Sequence, residues 1–325
     1  MSQSVPAPHA LHIAITGASG FVGTKLVARL MERGHRVTAL SRWTGYRGMV
    51  SGVRWLDYDP MDGASYARAF EGTDAVIHLA GHGIFDGRWN KSRMESIRTS
   101  RVDATRALVD GLRRMTKRPQ VLVSASAVGY YGPRHPAEDL AESAAPGNDF
   151  LAQVCVGWEG EARMAEDLGV RVTNPRIGIV LGRGGGALAS MIPPFKAFVG
   201  GPIGLTGKQP FPWVHLDDVV GLLVAMAENP AYRGAVNAVA PELVNNKQFS
   251  TALGRALHRP AMLPTPGFAI RLLLGKVAQI LTAGQRALPR AALAAGYVFR
   301  FPNVEGALAD LVGGAPVAAE AAATA

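Results

Sequence analysis

The 325-residue chain carries 34 basic and 25 acidic side chains, a formal charge of +9, with 48% hydrophobic and 7% aromatic residues. Its one cysteine, Cys155, excludes an internal disulfide framework and a multi-cysteine zinc site, and fits a reducing compartment. The basic residues are scattered except for Arg113, Arg114, Lys117 and Arg118, which read as a solvated helix end; no aromatic-studded basic stripe argues for nucleic acid.

The opening MSQSVPAPHA lacks the charged start and apolar stretch of a signal peptide. Every apolar run is interrupted before the roughly 20 residues that a membrane span requires. These features lead to the expectation of a cytoplasmic protein with no membrane partner.

Leu11 to Thr16 reads as a buried strand, and Phe21 to Arg33 as a helix that stops at Gly34. His35 to Leu40 and Val53 to Leu56 read as strands, Asp62 to Phe70 as a short helix and Asp74 to Leu79 as a buried strand. One long helix is expected over Lys91 to Met115, then a strand from Gln120 to Ser124. Asp149 to Leu168 reads as helix and Val170 to Leu181 as extended chain. The Gly/Pro-rich stretch 182–210 reads as loop, Phe211 to Ala240 as helix and strand. Phe249 to Leu257 and Phe268 to Leu281 are amphipathic helix candidates. Apolar strands alternating with helices predict an α/β fold, a doubly wound parallel sheet covered on both faces.

The first strand runs into Gly17-Ala18-Ser19-Gly20-Phe21-Val22-Gly23, a G-x-x-G-x-x-G turn that opens a helix. Such a turn lets backbone approach a pyrophosphate, and the helix N-terminus supplies N–H donors. At the end of the second strand, where an acidic residue would select NAD, stand Ser41 and Arg42. A hydroxyl and a guanidinium suit a 2′-phosphate, so the expected cofactor is NADP (NADPH). Asp57 and Asp59 are candidates for meeting the adenine or for solvating a loop.

With these residues in view, the sequence resembles the extended short-chain dehydrogenase/reductases of the sugar-nucleotide epimerase group. Within them it is most similar to the atypical "epimerase family" branch, whose substrate is generally unassigned. The segments that carry the resemblance include Thr16 to Gly23, His78 to Gly81, Ser100-Arg101-Val102 with Thr105, and Ser124 to Gly132. Phe150 to Cys155 with Trp158-Glu159, Arg176 to Gly186, Trp213 to Asp218, Gly284 to Arg286 and Gly296 to Phe299 extend it over about residues 11 to 312.

The resemblance implies a Rossmann-type NADP-binding domain over 11–181, rejoined by 211–240, and a smaller C-terminal substrate lobe from 182–210 and 241–312. A flexible start (1–10) and a disordered Ala-rich tail (313–325) flank them. Leu79, Ala80, Gly81 and Ser124 are implied cofactor contacts. His78 reads as a strand-end residue with a local hydrogen bond; with only His82 nearby, no metal site is expected.

Members of this superfamily use Ser, Tyr and Lys, the last two as Tyr-x-x-x-Lys on one helix. Ser126 matches the serine. Leu151 and Cys155 fall at the other two positions, none of the seven tyrosines is followed by lysine four residues on, and Arg101 replaces the family's asparagine. Tyr130 or Tyr131 beside Ser126, with His215 or Asp217, is one substitute acid/base set; pocket lining and helix capping are the alternative roles for these residues. Hydride transfer without a strong protein acid is a second reading, and a non-catalytic NADP-binding sensor or partner-binding protein a third. The Arg183 to Gly186 loop reads equally as a phosphate cradle or a connection, and Cys155 as a packing residue. The expected activity is that of an NADP-dependent oxidoreductase or epimerase-like enzyme on a polar carbonyl or nucleotide-linked substrate. A homodimer through helix surfaces is compatible with the resemblance, with no interface legible.

Overall fold

A computed structural model describes residues 10–42, 50–204, 206–265 and 283–313. The amphipathic segment 268–281, residues 1–9 of the start and the tail past 313 lie outside the described residues.

The first half alternates as the apolar pattern requires: β1 (His12–Thr16), α1 (Phe21–Glu32), β2 (Arg36–Ser41), β3 (Arg54–Asp57), α2 (Gly63–Ala69) and β4 (Ala75–His78). Then come α3 (Lys91–Thr99), α4 (Val102–Arg113), β5 (Val121–Ser124), β6 (Ser126–Ala127), β7 (Asp139–Leu140) and α5 (Phe150–Arg163). The second half holds β8 (Arg171–Ile177), β9 (Ile179–Leu181), α6 (Gly186–Lys196), β10 (Trp213–His215), α7 (Leu216–Glu228), β11 (Gly234–Ala238) and α8 (Asn246–Leu257). It ends with β12 (Arg286–Ala287), α9 (Arg290–Ala294) and α10 (Val304–Val312).

The main sheet runs β11-β8-β5-β4-β1-β2-β3, with β6 also paired to β8, and every pairing is parallel. Side chains alternate across it. Ile13, Ile15, Val37, Ile77 and Val123 pack under α1 and α7, through Leu26, Leu30, Val219 and Leu223. Ala14, Leu40, Val76 and Leu122 face Tyr66 of α2, Leu108 and Leu112 of α4, and Ala162 of α5. The central strands β1, β4 and β5 are thus buried on both sides, which is why they read as continuous apolar runs. The order reverses between β1 and β4, and a doubly wound sheet opens its ligand crevice at that point, along the strands' carboxyl edge.

A second core joins α6, α8 and α10 through Leu188, Phe195, Phe249, Leu253, Val304 and Leu308, with Phe211 and Trp213 beneath them. The extended stretch after α5 serves both units. β8 lies in the main sheet between β5 and β11, while β9 pairs only with β10.

Three elements differ from expectation. The helix predicted over 91–115 is broken at Ser100 and Arg101. There the Ser100 hydroxyl and the Arg101 guanidinium both donate to the Ile97 carbonyl, and Ser100 Oγ accepts the His82 N–H. Side-chain bonds of this kind compete with the helical ladder. The Gly/Pro-rich 182–210 contains an eleven-residue helix, α6, in spite of Pro193 and Pro194; burial of Leu188 and Phe195 outweighs its poor propensity. The α5 helix ends at Arg163, and a 3-10 turn covers Glu166–Leu168.

Candidate active site

The turn after β1 is built for close approach. Gly17 has φ +72°, and a Cβ there would lie 2.9 Å from the backbone of Leu79 and Ala80. A Cβ on Gly23 would meet Gly17 O at 2.1 Å, so α1 rests directly on the turn. Unlike α2, α3, α5 and α8, α1 has no side-chain cap, and its first turn holds no acidic residue. The first N–H groups of α1, on Phe21 and Val22, are therefore left uncapped among the described residues, as donors backed by the helix dipole. These residues fit a pyrophosphate.

At the neighbouring edge, Ser41 closes β2 as a buried residue, and the exposed Arg42 follows it. Asp59 is exposed and its carboxylate accepts the Met61 N–H at 2.8 Å, an Asx turn leading into α2. Its geometry is that of a loop former.

The far side of the crevice is β4 and the residues after it. Thr16 O accepts the Leu79 N–H (3.1 Å) and Thr16 Oγ1 the Ala80 N–H (3.2 Å), which pins the exit of β4 to the end of β1. Beneath them, the fully buried His78 bridges Thr16 Oγ1 (2.7 Å) and Thr105 Oγ1 (3.2 Å). Burial, with help from the Arg101 charge, pushes its pKa down to about 4, so it is neutral. No group of metal-ligating side chains forms among the described residues. Ser124 is enclosed completely at the end of β5. Its hydroxyl has no hydrogen-bond partner among the described residues and offers a cofactor no surface; Ser126, two residues on, is 3% exposed.

Ser126 opens onto a polar cluster that the sequence reading did not assemble. Its hydroxyl donates to Glu159 Oε1 at 2.6 Å. Arg176 grips the same carboxylate through two bonds, Nε to Oε1 and Nη2 to Oε2, both 2.8 Å. Ser126 and Arg176 are register partners across β6 and β8, and Glu159 reaches them from α5. Both ionic groups are nearly sealed from water, Glu159 at 2% and Arg176 at 3% exposure. Burial opposes the Arg176 charge, but the Glu159 hydrogen bonds and charge, with Tyr131, outweigh it and raise the guanidinium above its ordinary value.

The two tyrosines divide. Tyr131 is fully buried; it donates to Asn237 Oδ1 at 2.7 Å and accepts from Arg176 at 3.0 Å, which makes it a structural tie to β11. Tyr130 is partly exposed, with the Arg176 guanidinium 3.4 Å from its ring centroid. On α5, Leu151 approaches Gly129, and the Cys155 thiol lies against Ala127 and Ser126. Burial first, then the Glu159 charge, pushes that thiol up to about 12, the behaviour of a packing cysteine.

His215 and Asp217 are engaged elsewhere. His215 caps α7 by accepting the Asp217 N–H and stacks on Phe301 at 3.8 Å. Asp217 pairs with Lys25 and Arg300, and Asp218 binds the N–H groups of Arg300 and Phe301. They join α7 to α1 and to the chain before α10, and make no part of the Ser126 cluster. The 182–186 loop is no empty cradle either: a Cβ on Gly182, Gly185 or Gly186 would strike the Phe21 ring at 2.6 to 2.8 Å. Its glycines make room for that ring.

Residues 13–239 match the model of the NAD-dependent epimerase/dehydratase family, and residues 265–311 match a domain of unknown function, DUF1731. The chain is 39% identical to the epimerase family protein SDR39U1 homolog, chloroplastic, of Arabidopsis thaliana, over 91% of this chain and 85% of that one. It is 37% identical to the epimerase family protein YfhF of Bacillus subtilis, over 93% and 98% of the two chains. The crystal structure of the human epimerase family protein SDR39U1 with NADPH superposes with a TM-score of 0.85. It is 33% identical and covers 94% of this chain and all of that one. No helix of the described residues is long and apolar enough to cross a membrane.

Proposed function

This chain belongs to the NAD-dependent epimerase/dehydratase family, and from that premise we propose that it is an NADPH-dependent oxidoreductase or epimerase-like enzyme. The turn Gly17 to Gly23 and the N-terminus of α1 hold the pyrophosphate, Arg42 with Ser41 meets the 2′-phosphate, and the backbone of Leu79 to Gly81 lies along the cofactor. The human relative bound to NADPH supports this assignment. The substrate is a polar carbonyl or nucleotide-linked compound.

The single observation that carries the chemistry is the Ser126–Glu159–Arg176 chain. The usual Tyr-x-x-x-Lys pair is absent: Leu151 and Cys155 occupy those positions, and the carboxylate sits one helical turn beyond Cys155. Because Ser126 gives its proton to Glu159, its lone pairs are what a substrate meets, and they accept a hydrogen bond from a substrate hydroxyl. When that hydroxyl is oxidised, its proton passes to Ser126 Oγ as the Ser126 proton passes to Glu159 Oε1. In the reductive direction the same two shifts run backward and deliver a proton to the carbonyl oxygen. When bound in this crevice, NADPH would supply the hydride for reduction and NADP+ would accept it in oxidation. Arg176 holds the carboxylate in place, and Tyr130 lines the pocket above it.

Fluorescence titration of wild type and Arg42→Glu with NADPH and NADH tests the cofactor assignment. Wild type should prefer NADPH, and the variant should lose at least tenfold in NADPH affinity with little change for NADH. Comparable affinities of the wild type for both nucleotides would overturn it. A second reading, a non-catalytic NADPH sensor, is favoured by the missing dyad. It predicts NADPH binding with no turnover in either direction on broad carbonyl and alcohol panels.

A further inference from the structure

Arg101 carries a largely buried and uncompensated charge beside the crevice. It sits at the break between α3 and α4, partly exposed, with one hydrogen bond from its guanidinium, Nη1 to Ile97 O at 3.2 Å. Two arginines close to it on those helices are matched: Arg98 with Glu95 and Asp103, Arg106 with Asp103 and Glu161. No carboxylate among the described residues pairs with Arg101. Burial lowers its pKa, as expected for a cation removed from water without a counter-charge.

The location of the guanidinium is specific. A Cβ on Gly81 would lie 3.2 Å from Arg101 Cζ and 3.3 and 3.4 Å from its terminal nitrogens. The glycine that ends the β4 segment thus leaves the space that the guanidinium fills. The Trp158 ring centroid lies 5.3 Å from Cζ, and the Arg101 charge acts on the buried Cys155 thiol, which lies against Ser126. Arg101 and Ser126 therefore flank Cys155 at the reacting end of the crevice. The pyrophosphate donors, by contrast, are at the start of α1.

We infer that Arg101 receives an anionic group of the substrate, a carboxylate or phosphate, and so fixes which end of the substrate lies over Ser126. The inference rests on the reading of this crevice as the NADPH and substrate site. A guanidinium has five N–H donors, and here four are uncommitted. They form a planar fork that matches two oxygens of a carboxylate or phosphate, with the Trp158 contact limiting its tilt. An uncompensated, mostly desolvated cation is costly in the folded protein, and an incoming anion relieves that cost. The substrate class narrows to polar carbonyl or hydroxyl compounds that carry a negative group near the reacting carbon.

The test is calorimetric titration of the NADPH-loaded protein with inorganic phosphate and, separately, acetate at constant ionic strength. Wild type, Arg101→Met and Arg101→Lys are compared, with NADPH affinity and the ligand-free unfolding midpoint measured for each. The expected result is one saturable equivalent of at least one anion on the wild type and at least tenfold weaker binding to Arg101→Met. NADPH affinity should stay within about twofold and the unfolding midpoint at or above that of wild type. Arg101→Lys, with charge but no fork, should lie between. Absence of saturable anion binding to the wild type, or equal binding to Arg101→Met, overturns the inference. So does a tenfold loss of NADPH affinity in Arg101→Met, which would make the anion a cofactor phosphate. A lowered midpoint that Arg101→Lys restores would make the residue structural and also overturn it. Failure of the wild type to bind NADPH at all would instead sink the reading of the crevice.

Discussion

Replacing Arg176 with Met preserves most of the stem's apolar contact and removes four donated hydrogen bonds, two to Glu159 and one each to Tyr131 and the Glu142 carbonyl. With Glu159 only 2% exposed, the carboxylate is left charged, desolvated and held by Ser126 alone. Breaking a buried pair from one side costs about 3–5 kcal/mol, and Glu159→Leu, which strands the guanidinium instead, falls in the same range. The double variant strands neither charge. Its residual cost is the Ser126 and Tyr131 hydroxyls losing partners, about 1–2 kcal/mol. Urea unfolding of the wild type, both single variants and the double variant at pH 7 should therefore give a coupling energy of at least about 3 kcal/mol. Two single variants each costing under about 1 kcal/mol, or effects that simply add, would refute the picture of a sealed ion pair.

Three further outcomes follow from other parts of the site. His78 has a folded pKa of about 4 against 6.5 in the unfolded chain, so the unfolded state binds the extra proton first. Stability is then complete above pH 6.5 and falls by up to about 3 kcal/mol as pH drops toward 4; in His78→Gln that part of the urea–pH profile should be flat. Cys155, with its thiol pushed up to about 12, should resist a disulfide exchange reagent at pH 8 in the native protein and react at once in denaturant. Rapid native labelling would contradict its burial. In Gly23→Ala the new methyl meets Gly17 O at 2.1 Å, so α1 must lift from the turn. NADPH affinity should fall at least tenfold, and unchanged affinity would show that the turn does not hold the pyrophosphate.

The alternating core and the phosphate turn are legible in the sequence because each depends on neighbouring residues: apolar runs buried on both faces, and a glycine triplet at one strand-to-helix junction. The Ser126–Glu159–Arg176 cluster is not local in this sense. Glu159 and Arg176 meet only once α5 packs beneath β6 and β8. Still, each left a mark. Glu159 is a carboxylate on the otherwise apolar face formed by Ala152, Cys155 and Ala162, and Arg176 is a charge inside the extended stretch from Val170 to Leu181. Two opposite charges on buried faces are a signal for a paired site. The break at Ser100 and Arg101 has no such mark, because helical spacing continues across it and only the side-chain bonds to Ile97 interrupt the ladder. The α6 helix was hidden for the opposite reason: composition argues for loop, and only the core it joins argues for helix.

The Phe21 ring and the glycines at 182, 185 and 186 form a single heritable unit. One residue stands in the glycine turn and, through its side chain, shapes the loop that begins the second lobe. The two halves of the protein are therefore linked at a place where neither can drift alone. A larger residue at Gly182 or Gly185 requires the ring to shrink, Gly186 at φ +63° needs glycine for its backbone as well, and a smaller ring loosens the floor on which the loop rests. The glycine-rich signature of that loop is the cast of an aromatic side chain from the other end of the chain, so related sequences should trade the ring and the glycines together.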